Sequence, residues 1–242
     1  MNPNTTTDSL FNGRLLVHQP GDGYRFSIDA VLLAHLTRPR PQDRLIDLGA
    51  GCGIVSLILA FRFPALCILA VEIQPGLAEL AQENVRQNGL DPRVKVVQAD
   101  LRRIRQQDTG GPLDMVVCNP PYRKTLSGRI NPDPQKAAAR HELTAGLADV
   151  VSAGARLLKK TGRLVLIYPS ERTAELLEQM RAANIEPKSL RMLHSRLDTG
   201  AKLIFVEGRL GGNPGLRVEP PLAIYGKEGK YSPEVERMLQ GS

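Results

Sequence analysis

The chain has 242 residues, 42% of them hydrophobic, which is enough for one large domain with a substantial core. It shows no apolar run long enough to cross a bilayer. Its start, Met1 to Thr7, also lacks the basic and apolar regions of a secretory signal. Net charge is +7 with an isoelectric point near 9.5, a balance that suits either a polyanionic partner or plain solubility. Aromatic residues make up 4% and tryptophan is absent, which argues against a broad base-stacking platform but leaves room for a single stacking residue. The three cysteines, Cys52, Cys67 and Cys118, form no CxxC pair and sit in or beside apolar runs, so they read as buried reduced thiols of a cytoplasmic protein, and no metal site is visible.

Residues 1 to 9 are polar and are expected to be disordered. A short strand follows over 13–19, a turn over 20–23, and an extended piece over 24–26. Ser27 or Asp29 is placed to cap a compact apolar helix over 30–36. From Arg44 to about Gly208, strands and helices alternate. Strands are expected at 45–48, 67–72, 94–98, 115–118 and 163–168, with helices at 53–63, 75–88, 142–160 and 171–183 and two closing strands at 190–194 and 201–207. Continuous apolar strands alternating with helices predict an α/β fold with a mostly parallel, seven-stranded sheet, helices on both faces and an antiparallel last strand. Three parts are expected: an extension over 1–42, a core domain over 43–209, and an extended strap over 210–242.

The first strand runs into Asp47-Leu48-Gly49-Ala50-Gly51-Cys52-Gly53. In a doubly wound sheet this turn lies at the carboxyl edge, where ligands bind and glycines admit close backbone approach. A dinucleotide fingerprint would place its third glycine three residues after the second, at Ile54. Here it is Gly53, so the pyrophosphate pattern is not met. Glu72 closes the second strand about 20 residues on, where an acid can take both ribose hydroxyls. A plain structural turn and a solvated strand end are the alternatives.

The fourth strand ends in Asn119-Pro120-Pro121-Tyr122. An aromatic amine is a poor nucleophile because its lone pair is delocalised into the ring. Accepting both N–H hydrogens, on the Asn119 side-chain oxygen and the Pro120 carbonyl, favours a lone pair aimed at an electrophile. Pro121 holds the backbone rigid, and Tyr122 can stack on the base face. Such catalysis is mostly positioning and needs no strong general base. The four histidines, correspondingly, do not form a catalytic set.

These two motifs resemble those of the Rossmann-like amino-methyltransferases that act on adenine N6, guanine N2 and glutamine N5. The segments 19–33, Arg140-His141-Glu142 and Pro220 to Tyr225 are similar, more narrowly, to bacterial tRNA adenine-N6 methyltransferases of the valine-tRNA type, a similarity that runs from about residue 10 onward. The resemblance implies S-adenosylmethionine as cofactor, with S-adenosylhomocysteine as product. It implies that Asp47, Gly49, Gly51 and Gly53 surround the methionine part of the cofactor, with Glu72 and Ile73 at the ribose. Asp100 would bond the adenine amino group, Leu101 would pack on the ring, and Asn119 would face the methyl. Ser27 and Asp29 would form the outer wall of that pocket, with helix capping as the alternative role.

Arg123, Lys124, Arg129, Lys136 and Arg140 face one acid, Asp133, in the segment after the catalytic motif. A basic segment there suits the phosphates of an RNA, such as a tRNA, while one base is flipped into the pocket. A protein glutamine N5-methyltransferase and an RNA guanine-N2 methyltransferase are the rival readings within this chemistry. A dinucleotide oxidoreductase is disfavoured by Ile54, and a non-catalytic RNA-binding module requires a vestigial Asn119. The sequence leaves the oligomeric state open.

Overall fold

A computed structural model describes residues 5–21, 27–120, 145–226 and 229–241. Pro121, Tyr122, Arg123, Lys124, Arg129, Lys136 and Arg140 therefore lie outside the described residues, as does the expected extended piece over 24–26.

The chain opens with a hairpin, β1 (Thr5–Leu10) and β2 (Leu15–Pro20), paired antiparallel. The polar Thr-Thr-Thr stretch is thus a strand from Thr5 onward. Threonine is β-branched and fits a pleated surface, and β2 supplies the hydrogen-bonding partner that the sequence alone did not reveal. Helix α1 (Ile28–Leu36) follows, with Ser27 at its N-cap position making no side-chain capping bond.

The core then alternates β3 (Arg44–Leu48), α2 (Ile54–Arg62), β4 (Cys67–Glu72), α3 (Pro75–Gln87), β5 (Val94–Gln98), β6 (Leu113–Cys118), α4 (Leu147–Leu157), β7 (Leu158–Pro169) and α5 (Thr173–Ala182). Strands β8 (Ile185–His194), β9 (Ala201–Leu210) and β10 (Arg217–Ala223) and a last helix, α6 (Pro233–Gln240), complete it. The main sheet has the order β10-β8-β9-β7-β6-β3-β4-β5. Strands β3 to β7 pair parallel, and β9 runs antiparallel to both β7 and β8. The expected antiparallel strand is therefore β9, the seventh of this sheet in chain order.

The sheet has eight strands where seven were expected, because β10 joins the edge parallel to β8. Pro220 and Pro221 lie within it, at the point where the pairing register shifts between Glu219 and Leu222. Proline is tolerated there because an edge strand leaves one row of N–H groups unpaired. Residues 233–240 were expected to be extended and form α6 instead. Ser232 accepts the Val235 N–H as its cap, and Val235 and Met238, three residues apart, are buried on one face.

Strand period sorts the core onto the two sheet faces. Leu45, Met115 and Val117 point to the side of α1, α2 and α3. Ile46, Leu48, Val116 and Cys118 point to the side of α4 and α5. Cys52 and Cys118 are buried free thiols, whereas Cys67, at the start of β4, is exposed, contrary to expectation.

Candidate active site

The parallel ladder sets the site's dimensions. Leu48 pairs with Val71 on one side and with Cys118 on the other, and Val71 pairs with Val97. The next residues along, Asn119, Gly49, Glu72 and Gln98, therefore form a row across the carboxyl ends of β6, β3, β4 and β5. At ~4.8 Å per strand that row spans ~15 Å. Gly49 stands one strand from Asn119, and Glu72 two.

Gly49, Gly51 and Gly53 all have left-handed backbone, with φ of 73°, 59° and 88°. A side chain would be strained at each. At Gly53 a Cβ would also lie 3.3 Å from the Cβ of Ala81 on α3, so the glycine lets α2 start against α3. The turn is tied to β4 from two sides. Gly49 N and Ala50 N donate to Val71 O at 2.8 and 3.0 Å, and Gly51 N donates to Glu72 Oε2 at 2.9 Å. The second Glu72 oxygen accepts the Gln74 N–H at 2.9 Å.

Asp47 lies beneath the turn, 1% exposed, and accepts a 2.7 Å bond from Ser56 Oγ. Burial, the largest cause, pushes its pKa up to about 6; the nearby Glu72 carboxylate acts in the same direction. Neither Asp47 nor Glu72, which is 5% exposed, forms an ion pair among the described residues. Two buried carboxylates beside the glycine turn, with no cation paired to either among the described residues, fit a positively charged ligand.

Asn119 is half-buried and Pro120 buried. The Cys118 thiol donates to Leu48 O at 2.9 Å and so fixes the end of β6 against the end of β3. Ile73, after β4, is half-buried, and Leu101 is buried against Ile46, Leu48, Val71 and Ile104. Asp100 is gripped by Arg102: Nε donates to both carboxylate oxygens at 2.9 Å, and Nη2 to Oδ2 at 2.7 Å. These bonds hold its pKa below the usual carboxylate value. Asp29, in the first turn of α1, is half-buried, and burial raises its pKa.

Two residues that sequence reasoning passed over organise these parts. Arg156 of α4 donates to Leu101 O and Ile104 O, both at 2.9 Å, and so holds the segment carrying Asp100 and Leu101. Asn84 of α3 donates to Cys52 O at 2.9 Å and to His18 O at 2.8 Å, while its oxygen accepts the His18 N–H at 2.7 Å. Asn88, one turn later, accepts the Leu16 N–H at 2.9 Å and donates to Leu16 O at 2.7 Å. The two amides act as a surrogate strand for β2 and join it to the glycine turn. The signal for Asn84 was present: a polar residue in the buried stripe of Leu77, Leu80, Ala81 and Val85. Asn84→Ala leaves the His18 amide and two carbonyls without these partners and is expected to cost about 2–4 kcal/mol, read from chemical denaturation.

The family model described as "Methyltransferase small domain" matches residues 27–184. The chain belongs to that methyltransferase family. A tRNA1(Val) (adenine(37)-N6)-methyltransferase of Porphyromonas gingivalis (strain ATCC 33277) is 31% identical over 245 aligned positions, covering 97% of this chain and 94% of the relative. One from Histophilus somni (strain 129Pt) is 28% identical, covering 93% and 92%. Among solved structures, a predicted O-methyltransferase of Agrobacterium tumefaciens superposes with a TM-score of 0.71 at 22% identity, covering 88% of this chain and 96% of that one. That likeness speaks for the shared methyltransferase fold alone. The protein is thus a methyltransferase, and its glycine turn and Asn119-Pro120 lie side by side on the edge of the sheet where ligands of such folds bind.

Proposed function

We propose that the protein transfers a methyl group from S-adenosylmethionine to the N6 amino group of an adenine in tRNA, at an anticodon-loop position such as the one named for its relatives. The observation that carries this reading is the row of carboxyl ends. Two buried carboxylates, neither ion-paired among the described residues, stand one and two strands from Asn119-Pro120, where a cationic methyl donor and a planar amine can meet.

S-adenosylmethionine, when bound, supplies an electrophilic methyl on a sulfonium and a further positive charge on its amino group. Asp47 and Glu72 provide the negative field for such a ligand. Glu72, at the end of β4, has lone pairs left for the ribose hydroxyls beside Ile73. Gly49, Gly51 and Gly53 let the backbone lie close against the methionine part, and Asp29 forms part of the outer wall. Asp100 accepts from the adenine amino group of the cofactor, sharing its carboxylate with Arg102, and Leu101 backs the ring.

On the substrate side, Asn119 Oδ1 and the Pro120 carbonyl each accept one hydrogen of the target amine. This draws the nitrogen lone pair out of conjugation and aims it along one direction. Positive charge growing on that nitrogen in the transition state strengthens both hydrogen bonds, and such differential binding is what lowers the barrier. Pro121 stiffens the backbone and Tyr122 stacks on the target base. Arg123, Lys124, Arg129, Lys136 and Arg140 bind flanking phosphates. The extra proton leaves to water from the acidic methylated nitrogen, so no strong general base is needed.

The test is transfer of labelled methyl from S-adenosylmethionine into unmodified tRNA, followed by nucleoside digestion and mass spectrometry. N6-methyladenosine is the expected product. Label in N2-methylguanosine would move the target to guanine, and label found only in protein would replace this reading with glutamine N5-methylation.

A further inference from the structure

Because β9 is antiparallel to both of its neighbours, β8 runs in the same direction as β3 to β7. Strand β10, parallel to β8, does so too. The carboxyl ends of β8 and β10 therefore open onto the same rim as Asn119. Four strand spacings separate β6 from β10, which is ~19 Å along the rim. Stacked nucleotides rise ~3.4 Å each, so this is the reach of about six steps of a nucleic acid strand.

This far end of the rim carries an aromatic ledge. Tyr225 and Tyr231 are 36% and 37% exposed, and they are the exposed aromatic side chains among the described residues. Their rings stack, with centroids 5.3 Å apart and planes 15° from parallel. The ledge is held by backbone bonds on each side. Ile224 N donates to His194 O at 2.8 Å and Tyr225 N to Ser195 O at 2.9 Å, while Gly226 N donates to Lys230 O and Ser232 N to Ile224 O, both at 2.9 Å. Leu197, 65% exposed, projects from the adjoining 195–200 loop, which the Arg196 O to Thr199 N turn closes. The exposed Lys202, at the start of β9, adds positive charge along the same rim, and Arg196, whose Nη2 donates to Asp198 Oδ2 at 3.1 Å, stands beside it as an exposed ion pair.

These ordered, solvent-facing rings share a rim with Lys202 and with the site that presents the target amine. We infer that the Tyr225–Tyr231 pair, flanked by Leu197, is a stacking platform for an unpaired base of the RNA substrate outside the target nucleotide, with Lys202 set for its phosphates. The inference rests on the tRNA reading given above. It assigns substrate gripping to the end of the chain as well as to the basic segment after Asn119-Pro120. Base-on-aromatic stacking tolerates any base and needs a flat, pre-ordered ring face, which the hydrogen-bonded ledge supplies.

The test compares wild-type protein with Tyr225→Ala/Tyr231→Ala, Tyr225→Phe/Tyr231→Phe and Leu197→Glu. Each is measured for binding of an unmodified tRNA transcript by fluorescence anisotropy, for S-adenosylhomocysteine affinity by calorimetry, and for its melting temperature. The alanine pair is expected to weaken RNA binding about 10- to 100-fold with cofactor-product affinity within about twofold. The phenylalanine pair, which keeps the rings, should stay within about threefold of wild type. Leu197→Glu alters a side chain held by solvent and is expected to weaken RNA binding about threefold or more through repulsion of phosphates. Unchanged RNA affinity in the alanine pair overturns the platform and leaves the methyl-transfer reading standing; if that pair fails to fold, unchanged affinity in Leu197→Glu decides the same way. A wild-type protein that neither binds nor methylates tRNA overturns the tRNA reading and the platform with it.

Discussion

Asn119→Ala is expected to lower methyl transfer about 100- to 1,000-fold while leaving S-adenosylhomocysteine affinity within a few-fold. The size follows from removing one preorganised partner of a group whose charge changes in the transition state. The selectivity follows from position. Asn119 closes β6, and the glycine turn is tied instead to β4 through Val71 and Glu72 and to α3 through Asn84. Asn119→Asp keeps an acceptor oxygen at the same place and should recover part of the activity. Single-turnover rates with labelled S-adenosylmethionine, beside calorimetric titration of the product, separate the two effects. Undiminished turnover in the alanine variant would end the case for Asn119 as the amine acceptor.

Asp47→Asn is expected to act in opposite directions on stability and on cofactor binding. The Asp47 carboxyl titrates at about 6 in the fold, against 3.8 for an exposed one. A carboxyl raised in this way opposes folding wherever it is ionised. The penalty is absent below pH 3.8, grows between 3.8 and 6, and is constant above 6, where it is on the order of 1–3 kcal/mol. Asparagine carries no charge and keeps an oxygen for the Ser56 hydroxyl, so the variant should be more stable than wild type at pH 7.5 and lose that advantage near pH 4. Affinity for S-adenosylmethionine should fall at least about tenfold, because a buried negative charge next to the glycine turn has gone. By the same linkage, wild-type affinity for this cation should weaken as pH drops below about 6. Denaturant unfolding at the two pH values and titration of the cofactor check both arms. A variant that binds S-adenosylmethionine as well as wild type would remove Asp47 from the cofactor site.

The parts of the fold that could be read in advance are those in which local pattern and tertiary role agree. Strands β3, β4, β5 and β6 are short apolar runs that end in turn chemistry, and α3 has proline at its start and a glycine after Asn88. The hidden parts depend on a partner distant in sequence. Thr5–Leu10 is a strand because β2 lies beside it, and β10 keeps its two prolines because it sits at a sheet edge. Helix α6 was within reach: Ser232-Pro233 is a helix-start signal, and Val235 with Met238 marks one buried face. In the candidate site, the residue types at the strand ends pointed to the chemistry. What holds them does not show in linear order, because Arg156 reaches carbonyls 52 and 55 residues away and Asn84 reaches one 32 residues away.

The double amide lacing of β2 by Asn84 and Asn88 carries information as well as load. One carboxamide bonds both His18 and the carbonyl of Cys52 inside the glycine turn. A ligand that stills the turn must therefore still the hairpin, and in hydrogen–deuterium exchange the His18 amide becomes a remote reporter of occupancy. Its exchange should slow when the turn is filled, with no ligand atom near it, and Asn84→Ala should silence that signal at His18 while the amides of the turn itself go on responding.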